Sequence, residues 1–217
     1  MRASHRYDLV APVYDAVSLE RPFYQRGRRR AVDLLSLAPG QLVVDLGCGT
    51  GLSFPFLQAG VGPSGTIVGI DNSEAMLTQA RRRAQQAGWD NVRLVEAPAH
   101  RLDSGLADAG ISPNGVDALL AVYALSVIDH YPETWDQIRQ SLPPGTRVAI
   151  ADLSLGPHPA LRPLWRLLCA LGGSDPNRRP WQSLEDHTHD LRSEDFLAGH
   201  IVVTAATLDP RPRATRP

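Results

Sequence analysis

The chain has 217 residues, of which 22 are basic, 23 are acidic and 43% are apolar, and its formal net charge is −1. This composition excludes a disordered tail protein, and the near-neutral charge gives no overall electrostatic attraction to nucleic acid. All 22 basic residues are arginine, which excludes lysine chemistry such as a Schiff base, and two cysteines are too few for a disulfide framework or a cysteine-based zinc site.

The elements of the chain alternate between helix and strand. Residues 1–38 are predicted to form one or two helices, and they carry an arginine cluster at Arg26, Arg28, Arg29 and Arg30. Short apolar or β-branched runs bounded by Gly, Pro, Asn or Asp are typical of strands buried between helices. Five such runs are predicted strands, at residues 41–46, 66–71, 92–97, 116–122 and 146–151.

Two helices are predicted between these strands. The helix at 72–87 has a possible N-terminal cap at Asn72 or Ser73 and ends at Gly88, and the helix at 132–142 begins with proline. After the fifth strand, apolar residues 161, 164, 165, 168 and 171 follow helical spacing within 160–171. Residues 172–183 look like a loop, a last strand is predicted at 201–207, and a weaker strand is predicted near 184–192.

This alternation predicts an α/β fold with a Rossmann-like, doubly wound, mainly parallel sheet of six to seven strands and helices on both faces. We predict an N-terminal helical lid segment at 1–38, the main domain at 39–208 and a flexible tail at 209–217. No apolar run approaches the ~20 residues of a membrane span, and residues 1–15 lack the apolar region of a signal peptide. We therefore expect a soluble, cytoplasmic protein.

A glycine-rich turn follows the first predicted strand, in the run Val43 to Gly51. Its spacing is G-x-G-x-G, not the G-x-G-x-x-G of dinucleotide enzymes, and glycine lets a ligand approach the backbone closely. Asp45 at the end of the strand would repel a phosphate but would suit a cationic amino group. The pattern therefore predicts a site for a nucleoside with a positively charged amino-acid tail.

A second acid, Asp71, ends the second predicted strand, 26 residues after Asp45. A carboxylate at this point can accept hydrogen bonds from both hydroxyls of a ribose. The alternative is a helix N-terminal acid that is stabilised by the helix dipole.

These motifs resemble the class I S-adenosylmethionine-dependent methyltransferases, particularly the small-molecule, quinone and phospholipid-headgroup group. VVDLGCGTG matches the first motif of that family, GIDNSEAML the segment after the second strand and LPPGTRVAIAD the approach to the fifth strand. Residues 7–15 resemble the Y-D-x-x-A-x-x-Y-D helix of quinone and phospholipid methyltransferases, and the similarity covers about residues 5–152. The resemblance implies methyl transfer from S-adenosyl-L-methionine to N or O of a small molecule or lipid headgroup, with S-adenosyl-L-homocysteine as the product.

The resemblance also implies roles for individual residues around the cofactor. The methionine end would lie against Asp45, Gly47, Cys48, Gly49, Thr50 and Gly51, and the ribose and adenine against Asp71, Asn72, Met76, Ala97, Pro98 and Ala99. Ala121 and Tyr123 would leave the fourth strand beneath the sulfonium. Pro98 departs from the family pattern, which often has an aspartate that binds the adenine amino group, so adenine recognition would depend on backbone groups and shape.

Methyl transfer needs mainly proximity and orientation, and a general base only for a phenol or an enolic carbon. The candidate catalytic residues are His130 and Tyr14, and the candidate acceptor-binding residues are Tyr7, Tyr14, Tyr123, His130 and Trp165. His130 also fits an exposed loop histidine, and Tyr7 and Tyr14 fit core packing as well as a lid. Trp165 and its apolar stripe fit ordinary core, a cover over an apolar acceptor, or contact with a membrane surface.

Several partners and alternative functions follow from the same residues. The segment after the fourth strand lacks an N-P-P-Y or D-P-P-Y run, so nucleic acid and glutamine side chains are not expected acceptors. We expect no metal. The arginines at 26–30 fit a solvated helix face or contact with an anionic lipid. Two alternatives stay open: non-methyl chemistry with the same cofactor, such as aminocarboxypropyl transfer or cyclisation, and a catalytically silent binding module.

Overall fold

The strands and helices alternate along the chain in the computed structural model, which describes residues 24–185 and 188–209. The strands are β1 (Leu42–Leu46), β2 (Thr66–Asp71), β3 (Val92–Glu96), β4 (Ala118–Val122), β5 (Arg147–Leu153), β6 (Thr188–Phe196) and β7 (Ile201–Leu208). The helices are α1 (Gln25–Leu35), α2 (Phe54–Val61), α3 (Glu74–Ala87), α4 (Leu102–Asp108), α5 (Tyr131–Ser141), α6 (Arg162–Gly172) and the short α7 (Gln182–Glu185).

All seven strands form one sheet in the order β3-β2-β1-β4-β5-β7-β6. The first five strands are parallel to one another, and β7 pairs antiparallel with both β5 and β6. The strand order reverses between β1 and β4, and doubly wound sheets bind their ligands at the carboxyl ends of the strands at such a switch point. The predicted fold class is therefore confirmed, including the mainly parallel sheet.

Side chains that alternate along the strands form two apolar clusters, one on each face of the sheet. On one face, Val43 and Leu120 pack with residues of α1, α2 and α3. On the other face, Val44 and Leu119 pack with residues of α4 and α5. Burial of both faces explains why the parallel strands are continuous apolar runs in the sequence.

The ends of α3 follow from two residues that the sequence singles out. Ser73 is in an extended conformation, and its hydroxyl accepts a hydrogen bond from the backbone N–H of Met76 (3.3 Å), so it is Ser73 and not Asn72 that caps the helix. Gly88 ends the helix in the left-handed conformation, with φ of 68°.

The C-terminal elements differ from the prediction. The weak strand expected near 184–192 is β6, which lies four residues further on. In α6, Trp165 and Cys169 are buried, but Leu164 and Leu171 of the predicted core-facing stripe are 48% and 68% exposed. The interpretation of that stripe as ordinary core is wrong for these leucines, because only the side of α6 that carries Trp165 and Cys169 is buried.

Some predicted features lie outside the described residues. These are Tyr7 and Tyr14, the residue 7–15 motif, most of the lid segment and all but one residue of the tail. Within residues 24–185 and 188–209, no helix is long and apolar enough to cross a membrane.

Gly27 allows α1 to approach the sheet closely, which generates a stability prediction. A Cβ atom at Gly27 would lie 2.4 Å from Oη of Tyr123 and 2.7 Å from Cγ2 of Ile201. We expect Gly27→Ala to lower the free energy of unfolding in urea by about 1–3 kcal/mol, because overpacking outweighs the better helix propensity of alanine. Gly172→Ala is the matched control, since its Cβ would meet nothing closer than 3.8 Å. Equal unfolding free energies for both variants would contradict the close approach.

Candidate functional site

A buried carboxylate lies at the carboxyl end of β1. Asp45 is 1% exposed, and its Oδ2 atom accepts no hydrogen bond from the described residues. Loss of hydration raises the pKa of Asp45 to about 7, although the positive charge of Arg28 and a hydrogen bond from Ser53 oppose the rise and Asp71 adds to it. Asp45 therefore keeps an unpaired acceptor atom at the edge of the sheet where doubly wound folds bind their ligands.

Arg28 compensates part of this buried negative charge. Its guanidinium donates a hydrogen bond to the Ser53 hydroxyl (2.9 Å) and lies 5.6 Å from the centre of the Tyr123 ring. Arg28 is only 7% exposed, so the interpretation of the whole arginine cluster as a solvated face is wrong for this residue. Close packing of α1 on the sheet turns Arg28 inward, whereas Arg26 and Arg29 are exposed.

The glycine-rich turn after β1 leaves space beside its backbone. Gly47, Gly49 and Gly51 have φ angles of 72°, 54° and 77°, a region that disfavours residues with a Cβ atom. A Cβ atom at Gly47 would lie 2.5 Å from the Cβ of Ala124, whereas one at Gly49 would meet no atom within 4 Å. The turn is therefore anchored at Gly47 and open at Gly49.

Asp71 holds this turn in place. Its Oδ2 atom accepts the backbone N–H of Gly49 (2.8 Å), and its Oδ1 atom accepts the N–H of Ser73 (3.0 Å) at the start of α3. Asp71 thus links the ends of β1 and β2 and remains partly exposed at their common edge.

Tyr123 leaves β4 with a φ of 55°, which is unusual for a non-glycine residue. Its hydroxyl donates to the backbone carbonyl of Tyr24 (2.8 Å), and the two tyrosine rings pack edge to face at 5.3 Å. The strained turn therefore ties the beginning of α1 to the end of β4. It also places an aromatic ring next to Arg28 at the same edge as Asp45.

The other predicted cofactor residues surround this edge at different depths. Cys48 is buried, and its sulfur would lie 3.0 Å from a Cβ atom at Gly69, so its side chain packs beneath the turn. Thr50 is buried and accepts a hydrogen bond from Arg83. Of the rest, Met76, Ala97 and Ala121 are buried, Pro98 and Ala99 are partly exposed and Asn72 is exposed.

His200 is a candidate that the sequence analysis missed. It immediately precedes β7, and its Nδ1–H donates to the backbone carbonyl of Ser154 (2.7 Å), because a carbonyl can only accept. Its ring stacks on Trp165 at 4.3 Å and lies 6.2 Å from the Tyr24 ring. Burial lowers the pKa of His200, and the Ser154 carbonyl opposes this only in part, so the imidazole is neutral near pH 7.

Two nitrogen atoms of this stacked pair lack partners. Nε2 of His200 and Nε1 of Trp165 are both buried and form no hydrogen bond with the described residues. In the tautomer that Ser154 selects, Nε2 carries a lone pair and can accept a proton. This pair lies at the end of β5 and the beginning of β7, and Tyr24 lies between it and Tyr123 at the end of β4.

His130, the histidine singled out from the sequence, lies in a different environment. Its side chain is 61% exposed at the beginning of α5, its ring lies 4.7 Å from that of His100, and its Nδ1 is 3.8 Å from a Glu133 carboxylate oxygen. The described contacts do not join it to Tyr123 or Trp165, and its catalytic role stays a prediction. Trp165, by contrast, stacks on His200, and the ring of His200 also lies near that of Tyr24.

Comparison with known proteins identifies the family of this site. Residues 37–189 match the family described as "Methyltransferase domain". A 2-phytyl-1,4-naphtoquinone methyltransferase of Synechococcus elongatus is 32% identical, over 72% of this chain and 65% of that protein. A nocamycin O-methyltransferase of Saccharothrix syringae is also 32% identical, over 72% of this chain and 52% of that protein.

A solved structure shares the fold. It is that of a SAM-dependent methyltransferase from Aquifex aeolicus, with a TM-score of 0.61 and 17% identity over 94% of this chain and 98% of that one. The match over residues 37–189 shows that the chain belongs to the methyltransferase-domain family. It spans less than two thirds of the length of the two curated relatives.

The raised pKa of Asp45 predicts a pH-dependent stability. Between the ordinary value of 3.8 and about 7, the folded protein holds a proton that the unfolded chain has released. The free energy of unfolding should therefore fall as the pH rises towards 7, by up to about 1.4 kcal/mol per pH unit relative to Asp45→Asn, and the difference should become constant above this range. Urea unfolding at a series of pH values measures it, with the exposed Asp33→Asn as the control. A pH-independent difference between wild type and Asp45→Asn is the contradicting result.

Proposed function

We propose that this protein transfers a methyl group from S-adenosylmethionine to an N or O atom of a small-molecule acceptor. The observation that carries the proposal is the buried Asp45 carboxylate with an unpaired Oδ2, next to the open backbone at Gly49. When bound, S-adenosylmethionine supplies an electrophilic methyl group on a sulfonium. The family membership and the two methyltransferase relatives support the same reaction class.

The residues at the edge of β1 and β2 fit this cofactor. We assign the ammonium of its methionine part to Asp45, because a cation would restore the hydrogen bond and charge that the buried carboxylate lacks. We assign the ribose hydroxyls to Asp71, whose carboxylate is partly exposed at the common edge of β1 and β2. Asp45 also disfavours phosphate at the turn, which separates this site from that of a dinucleotide enzyme. The remaining predicted residues, from Gly47 to Ala99, would enclose the nucleoside.

The acceptor would lie towards the ends of β4 and β5, between Tyr123 and the stacked pair of His200 and Trp165. An aromatic wall suits a planar apolar acceptor, and the relatives are named for a naphthoquinone and for O-methylation. The neutral His200 could accept a hydroxyl proton at Nε2, while its Nδ1–H remains bound to Ser154. We assign this role to His200 and keep His130 and Tyr14 as the candidates that the sequence alone supplies.

Cofactor binding is the first prediction of this proposal. Calorimetric titration above about pH 7.5, where Asp45 is ionised, should show binding of S-adenosylhomocysteine and none of NAD. Asp45→Asn should weaken binding at least about tenfold, because a hydrogen bond to a charged group contributes about 1.5–3 kcal/mol. Asp33→Asn, the same change at an exposed position of α1, should leave affinity unchanged.

Product analysis then separates methyl transfer from the alternative chemistry. Release of S-adenosylhomocysteine with a methylated acceptor supports the proposal. Release of methylthioadenosine instead contradicts methyl transfer. Failure to bind both S-adenosylhomocysteine and S-adenosylmethionine contradicts the assignment of the site.

The role of His200 generates a separate prediction. His200→Asn retains a donor for the Ser154 carbonyl but removes Nε2, so kcat for a phenolic acceptor should fall about 10²–10⁴-fold while the affinity for S-adenosylhomocysteine stays unchanged. In the wild type, kcat should decrease with acidification at a midpoint below 6.5, the ordinary pKa of histidine, because Nε2 must be unprotonated. The variant should lose this decrease. Exposed His158→Asn is the control, and an unchanged pH profile in His200→Asn would show that His200 is not the proton acceptor.

A further inference from the structure

A polar cavity of about 440 Å³ lies next to the proposed acceptor position. Its walls come from the segment after β5, from the first turns of α6, and from the loop and short helix that follow α6. The lining residues are Ser154, Leu155, Gly156, Arg162, Arg166, Pro176, Asn177, Arg179 and Gln182. The volume is within the range of small-molecule sites, about 300–1,000 Å³.

The described walls of the cavity carry three positive charges. Arg162, Arg166 and Arg179 line it, and no aspartate or glutamate among residues 24–185 and 188–209 does. This concentration is unexpected in a chain whose net charge is −1. The nearby Asp175 does not line the cavity, and its carboxylate accepts the backbone N–H of Asn177 (3.0 Å).

Among the described residues, no hydrogen bond or ion pair engages the guanidinium groups of these three arginines. Arg178 shows the contrast, because its guanidinium donates to the backbone carbonyls of Leu125 and Ile128 and so fixes the loop to the end of β4. The neighbouring Arg179 is left to face the cavity.

The cavity adjoins the proposed acceptor position through Ser154. Ser154 lines the cavity and is also hydrogen-bonded to His200. Its carbonyl accepts Nδ1–H of His200 (2.7 Å), and its N–H donates to the carbonyl of His200 (2.7 Å). Gly156 packs against the turn before His200 so tightly that a Cβ atom there would lie 2.6 Å from the carbonyl oxygen of Ala198. The cavity and the proposed proton acceptor thus share Ser154 as a common neighbour.

We propose that this cavity binds a phosphate group of the methyl acceptor. Three guanidinium groups match the charge of a phosphate better than that of a single carboxylate, and guanidinium binds phosphate oxygens in a bidentate manner. Ser154, Asn177 and Gln182 add neutral donors for the remaining oxygens. The inference rests on the proposed function, since it names the substrate class of that site, a small molecule or lipid that carries both a methylatable group and a phosphate.

Both a soluble phosphorylated compound and a lipid headgroup could supply this phosphate. The lipid source is relevant because Leu164, Leu167 and Leu171 are 48%, 57% and 68% exposed on α6, the same helix that carries Arg162 and Arg166. Exposed leucines beside arginines are typical of helices that lie on an anionic bilayer surface.

The test uses the full chain with inorganic phosphate and phenyl phosphate as soluble probes, in titrations at low ionic strength. The double variant Arg166→Gln with Arg179→Gln should weaken phosphate binding at least tenfold and leave S-adenosylhomocysteine binding unchanged. Arg82→Gln with Arg192→Gln, at two exposed positions outside the cavity, removes the same charge and should bind phosphate like the wild type. Co-sedimentation with phosphatidylglycerol vesicles, with phosphatidylcholine vesicles as the neutral comparison, distinguishes the sources.

Every outcome decides the proposal. Phosphate binding that depends on Arg166 and Arg179 supports it, with a soluble acceptor if vesicles do not bind and a lipid acceptor if anionic vesicles bind and free phosphate competes. No phosphate binding, or equal binding by the two double variants, overturns it. Binding of S-adenosylhomocysteine is measured on the same samples, so a failure of the proposed function is recognised separately from a failure of the phosphate site.

Discussion

The burial of one carboxylate at the end of β1 constrains the rest of this site. A negative charge at Asp45 is unfavourable away from water, as its pKa of about 7 indicates, and the protein compensates it only partly with Arg28 and Ser53. Arg28 can reach this position because Gly27 brings α1 into contact with Tyr123. The partial compensation of this buried charge thus depends on the close packing of the N-terminal helix on the sheet.

Incomplete compensation is the property that makes such a site useful. If Asp45 were fully hydrogen-bonded within the protein, a ligand cation would have to compete with those bonds and would gain little. The unpaired Oδ2 of Asp45 and the unpaired Nε2 of His200 each cost stability in the free protein, and each could be satisfied by a ligand. Both atoms lie at the carboxyl edge of the sheet, at the ends of strands whose apolar residues supply the core. Burial of the apolar core therefore offsets the loss of stability that these two unpaired atoms cause.

The sequence predicts the parts of the site that depend on contiguous residues. The turn from Gly47 to Gly51 and the acid at Asp71 each follow a predicted strand, and parallel strands bring their carboxyl ends together whatever the details of packing. The burial of Arg28 could not be predicted in this way. Four of the five residues from 26 to 30 are arginines, and only the packing of α1 determines which of them faces the sheet. His200 was missed for another reason. Its place depends on the antiparallel pairing of β7 with β5, in which Ile201 faces Leu153, and a single sequence contains no signal for that register.

This difference also explains why the cofactor is easier to predict than the acceptor. The two acids that we assign to the cofactor, Asp45 and Asp71, lie in two neighbouring βα units, where a short motif determines both conformation and chemistry. The residues that we assign to the acceptor come from the end of β4 and from the segments after β5, which include Ser154. There the main chain joins the His200 pair to the arginine-lined cavity. The segments after β5 are far in the sequence from the turn after β1, so substitutions in them leave the residues of that turn unchanged. A specificity for phosphate at this position would therefore be a property of the C-terminal segments and not of the motifs that define the family.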